Sequence, residues 1–184
     1  MSNTRIQLDN FTKKLNDDAF LANKGLSNEV GIHILCYEPE EEMLIENYLQ
    51  KLDGMTSLKA NIIKCDLFEI FLELCEENGV IDFIPSMENE KDSETFLTML
   101  SYFATPEAFV KKMDYGQHQP GDVLIISGVG KVYPYMRCNH IMENVQPVFP
   151  DIPVVVFYPG KYTGQQIKLF NKFSSNYYRA FNLL

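Results

Sequence analysis

The segment Ser127-Gly128-Val129-Gly130-Lys131-Val132-Tyr133-Pro134 has the residue types of an anion-binding turn. Two glycines would let the backbone come close to a phosphate, a helix start would offer free N–H groups, and Lys131 would add charge. The spacing departs from the known phosphate loops. Gly-x-x-x-x-Gly-Lys-Ser/Thr needs a hydroxyl after the lysine, and Val132 stands there. Gly-x-Gly-x-x-Gly needs a third glycine at position 133, which is Tyr133. A tight strand-to-helix turn uses the same residues, so a turn and a small-anion site both stay open.

A second segment, Tyr158-Pro159-Gly160-Lys161-Tyr162-Thr163-Gly164-Gln165, has a Pro-Gly turn at its centre. If the two segments follow neighbouring strands, Tyr133, Arg137, Tyr158, Lys161 and Tyr162 come together. Tyrosine and arginine are enriched where proteins bind each other, and Tyr177, Tyr178 and Arg179 extend that set. Glu38, Glu40, Glu41 and Glu42 suit a divalent cation or a helix start, and capping is the simpler use. Asp66, with Glu69 three residues on, reads as a helix N-cap.

Other chemistry is sparse. His33 lies within an apolar run, His118 lies in a polar loop, and Cys138 and His140 sit two apart on a predicted helix, roughly 200° around its axis. Cys36, Cys65, Cys75 and Cys138 form no Cys-x-x-Cys pair and read as reduced, mostly buried thiols. No Gly-x-Ser-x-Gly elbow or His-Glu-x-x-His motif occurs. We therefore assign no catalytic residue, no metal ligand and no cofactor from sequence.

The elements that would position these residues follow from periodicity. Residues 4–21 repeat Leu8, Phe11, Leu15, Ala19 and Phe20 at helical spacing. Strands are predicted at Val30–Tyr37, Leu58–Cys65, Asp122–Ser127, Pro153–Tyr158 and Tyr178–Leu183. Helices are predicted from Pro39 to Leu52, from Asp66 to Gly79, across 80–115 with breaks near Pro85–Ser93 and at Thr105-Pro106, and at Tyr133–Asn144 and Gly164–Phe173. Alternation of strand and helix predicts one α/β domain over 1–184: a mostly parallel sheet with helices on both faces, Rossmann-like or RecA-like, with a helical insertion between the second and third strands.

The chain has 184 residues, 46% hydrophobic and 22% charged, with a net charge of −9. Enough apolar surface is present to exclude disorder as the main state. Residues 1–115 carry 10 basic and 22 acidic side chains, whereas 116–184 carry 6 and 3. The acidic balance disfavours general nucleic-acid binding, although the basic C-terminal part leaves room for a local anion site or weak nucleic-acid contact. The opening residues lack the apolar core of a signal peptide, and no apolar run approaches membrane-spanning length, so neither secretion nor a membrane partner is expected.

One resemblance runs through these residues. Gly128-Val129-Gly130, Val132-Tyr133-Pro134, Arg137, Asn144-Val145-Gln146-Pro147-Val148, Pro153 through Gly160, Tyr162, Gly164, Gln165, Leu169-Phe170 and Asn176 through Phe181 are similar to the C-terminal region of the BrxB family of BREX phage-defence systems. Asn23 through Glu29, Tyr37-Glu38-Pro39 and Asp66-Leu67-Phe68 fit its early segments more loosely. The resemblance implies a cytoplasmic bacterial protein acting beside a methyltransferase, a large ATPase and a PglZ-type protein. It implies a non-catalytic interaction subunit, with the PglZ-type protein as first partner and the ATPase as second. It carries over no catalytic residue. It marks Gly128, Gly130, Tyr133, Pro134, Arg137, Tyr158, Pro159, Gly160, Tyr162, Tyr178 and Arg179 as the expected functional surface, to which the residue types of the glycine turn add Lys131. A nucleotide or small-anion sensor built on Gly128–Gly130 and a weak nucleic-acid-binding subunit are the alternatives.

Overall fold

The computed structural model describes residues 3–23, 31–90, 92–176 and 181–183. Its centre is a parallel sheet of five strands, ordered β2 (Asn61–Asp66), β3 (Asp122–Ser127), β4 (Val154–Tyr162), β1 (Ile32–Tyr37) and β7 (Phe181–Asn182). The central strands β1, β3 and β4 are covered on both faces and read as mainly apolar runs, whereas β2 at the edge exposes Asn61 and Lys64. Side chains from consecutive positions enter opposite layers. Leu124, Ile126, Val154 and Val156 join one cluster, while Val123, Ile125, Val155 and Phe157 join the other.

Helices fill both layers. The first cluster packs α4 (Leu67–Glu77), α6 (Ser93–Ser101), α7 (Pro106–Met113) and α9 (Cys138–Val145) on the sheet, through Phe71, Leu100, Phe109 and Ile141. The second packs α1 (Asn3–Lys14), α2 (Asp18–Leu21) and α3 (Glu42–Leu52), through Phe11, Leu21 and Ile45. Each such fully buried side chain contributes roughly 1.5–3 kcal/mol relative to exposure. The predicted helical stretch between the second and third strands is present as a 3₁₀ turn at Ile81–Phe83, α5 (Ile84–Glu90), α6 and α7. No helix among the described residues is long and apolar enough to cross a membrane.

Three sequence expectations need correction. The helix expected over 4–21 is two helices, because Asp17 takes an extended backbone and caps α2 by accepting from the Ala19 N–H. The helix expected at Tyr133–Asn144 begins only at Cys138, and a short helix α8 (Val129–Val132) precedes it. Pro134 forces this gap: the residue before a proline avoids helical backbone, and Tyr133 is extended with a cis bond to Pro134. The helix expected at Gly164–Phe173 is instead a hairpin of β5 (Gln166–Leu169) and β6 (Phe173–Asn176). Its burial has period two, Ile167 and Leu169 in, Gln166 and Lys168 out. The hairpin pairs antiparallel with the second half of β4, so β4 serves both parts of the sheet.

Candidate functional site

In an open α/β sheet, ligands bind outside the C-terminal ends of the strands. In this chain that region is filled by the protein's own side chains. Gly128 follows β3 with φ +71°, a left-handed conformation that favours glycine. A Cβ at Gly128 would overlap the Asp66 carboxylate. That carboxylate accepts from the Phe68 N–H at 2.8 Å, capping α4 as expected, and from the Ser127 hydroxyl at 3.3 Å. A negative side chain thus sits against the turn where a phosphate would have to lie.

Gly130 serves the same purpose for an apolar neighbour. A Cβ there would come within 2.9 Å of Phe170 and 3.2 Å of Pro159. Lys131 pairs with Glu46 at 2.5 Å, and this bond raises the ammonium pKa. The β4–β6 hairpin closes the β1–β4 end of the sheet. Gly160, at φ +151°, brings its backbone so close to the Lys168 carbonyl that no side chain fits, and the Phe170 N–H donates to the Pro159 carbonyl at 2.8 Å. Asn171 then donates to Glu38 at 3.0 Å.

The aromatic set divides between core and surface. Tyr158 is 3% exposed, and burial pushes its hydroxyl pKa up. It faces a cavity of about 20 Å³ shared with Tyr133, Arg137 and Phe173. Tyr133 is half-buried, stacked on Phe173 at 5.0 Å and edge-on to Phe170 at 6.2 Å. Tyr162 donates to the Gly164 carbonyl at 3.2 Å. Sequence reasoning missed Phe170 and Phe173 as partners of Tyr133. The alternation Gln166–Leu169 was the available signal, hidden by the apolar spacing of Ile167 and Phe170. Pro134 and Arg137 are exposed. Tyr178 and Arg179, singled out from sequence, lie outside the described residues.

Nucleophiles and bases are kept apart. Burial pushes the Cys36 and Cys138 thiols up to about 12 and the Cys65 thiol to about 11, so they stay protonated near neutral pH. Cys138 is buried and His140 exposed, as their separation around one helix requires. Burial and the nearby Lys14 lower the His33 pKa to about 4, which keeps its ring neutral. Among the described residues, no group of three His, Cys, Asp or Glu side chains is placed to hold a metal ion.

Taken together, these features define a mixed α/β protein whose glycine turn is packed by its own Asp66 and Phe170, with half-buried Tyr133 and exposed Arg137 on the segment that follows. Comparison with known proteins gives the family. Residues 63–183 match the family model described as BREX protein BrxB. A BREX protein BrxB of Bacillus cereus (strain H3081.97) is 34% identical over 97% of this chain and 96% of its own. A BREX protein BrxB of Escherichia coli O9:H4 (strain HS) is 28% identical over 97% of this chain and 90% of its own. The chain belongs to the BrxB family, as its C-terminal motifs suggested. No solved structure matches it.

Proposed function

We propose that this chain is a non-catalytic interaction subunit of a bacterial BREX phage-defence assembly, working in the cytoplasm and docking on another BREX protein. The PglZ-type component is the first candidate and the large ATPase the second. The observation that carries this reading is the packed C-terminal end of the sheet. Asp66 lies against Gly128, Phe170 against Gly130, and the β4–β6 hairpin covers the end of β1. The layered arrangement is read as Rossmann-like or RecA-like; its order, β2-β3-β4-β1-β7, is neither the dinucleotide-binding nor the flavodoxin order. A nucleotide sensor at Gly128 would need both Asp66 and Phe170 to move away. Beside the packed end lie Tyr133, Phe173, Pro134 and Arg137, a mixture typical of binding hot spots.

The test is co-expression of the chain with each BREX component in turn, followed by size-exclusion chromatography with light scattering. A stable complex with one component is the expected result. Elution of the chain alone against every component would sink the proposal. Magnesium nucleotides should leave the melting temperature unchanged, whereas a ligand at a hundred times its Kd would stabilise by about 2.7 kcal/mol.

A further inference from the structure

An open groove of about 650 Å³ runs between α6 and the segment joining α8 to α9. One wall is the outer face of α6, with Leu97, Thr98 and Ser101. The other is Pro134, Tyr135 and Arg137. The Tyr135 ring stacks on buried Phe71 at 4.5 Å, nearly parallel, so this wall is fixed to the core.

The charges show what the groove lacks. The chain has more carboxylates than cations, and two of its other cations are paired with them: Lys131 with Glu46, and Lys112 with Glu73 and Glu77. Arg137 is exposed and, among the described residues, has no carboxylate or other hydrogen-bond partner for its guanidinium. Its backbone starts α9, which has no side-chain cap. His140 adds a second exposed polar side chain at the groove's rim, and Glu94 is the one carboxylate in the lining. A guanidinium presents paired donors to a carboxylate, and apolar walls beside it strengthen such a contact by excluding water.

We propose that this groove receives an acidic segment of the partner protein, with one carboxylate on Arg137 and an apolar side chain between Leu97 and Pro134. The proposal rests on the interaction-subunit reading and names the surface and the chemistry of its occupant. The test measures affinity for the co-expressed BREX components with the intact chain and with Arg137→Gln, Thr98→Trp and Met43→Glu, each checked for an unchanged melting curve. Thr98 is exposed on the α6 wall, and Met43 is 67% exposed on α3, in the opposite layer.

Arg137→Gln and Thr98→Trp should each weaken the complex at least about tenfold, Met43→Glu less than about twofold, and added salt should weaken the intact complex. A complex that all three variants bind within twofold overturns the groove and leaves the interaction-subunit reading standing. Loss with Thr98→Trp but not with Arg137→Gln overturns the acidic occupant. Absence of a complex with every component overturns both readings.

Discussion

Gly128 and Asp66 form one unit at the residue scale. The glycine supplies a left-handed turn and leaves room for a carboxylate that caps α4. Gly128→Ala should cost about 1–3 kcal/mol, from backbone strain together with displacement of Asp66. Asp66→Ala alone should cost about 1 kcal/mol, the usual loss of a helix cap. Because alanine at 66 also removes the overlap, the double variant should be more stable than the sum of the two losses predicts. Urea unfolding of all four proteins measures this, and strict additivity would mean that the carboxylate does not contact the turn. His33 gives a pH test. Its folded pKa is about 4 against an ordinary 6.5, so the unfolded chain takes up a proton first as pH falls. The contribution is flat above about pH 6.5 and is lost progressively down to about 4. Between pH 7 and 5 the intact protein should lose up to about 2 kcal/mol more than a His33→Gln variant. Equal losses in the two proteins would mean that His33 titrates normally in the fold.

At the scale of elements, the β4–β6 hairpin is the part most specific to this chain. Gly160→Val places a side chain against the Lys168 carbonyl, which belongs to backbone and cannot rotate away. We expect this variant to separate the hairpin from β4. It should lose protection from amide exchange across 160–176 while 122–127 stays protected. Uniform protection in both segments would show that the contact is dispensable. The hairpin was also the element least legible in the sequence. Ile167, Leu169 and Phe170 satisfy helical spacing about as well as strand alternation, and the deciding contact lies across the chain on Gly160. The central strands β1, β3 and β4 were legible because burial on both faces leaves mainly apolar runs such as Val123–Ile126. The Asp66 cap was legible for a different reason: it acts on N–H groups two and three residues away; Thr105, read only as a helix break, also caps α7. Tyr133 and Arg137 were singled out from residue type and the family resemblance. Placing Arg137 on a groove also required α6, which is remote in sequence.

For the whole molecule, sequence order and sheet order differ. β1 comes first, but its neighbours are β4 and β7, while β2 lies at the far edge beside β3. A fragment of residues 1–115 contains β1 and β2 and lacks every strand that pairs with either. It should be largely unfolded by circular dichroism and show no cooperative melting, and a sharp transition in that fragment would contradict the sheet order. The same arrangement sets a schedule in the cell. β1 is synthesised roughly 120 residues before Val154, the first residue of β4 to pair with it. At about 5–20 residues per second, the apolar segment Ile32–Tyr37 waits on the order of 6–24 seconds for β4. Translation speed across the middle of the gene therefore governs how long the nascent chain needs shelter from aggregation.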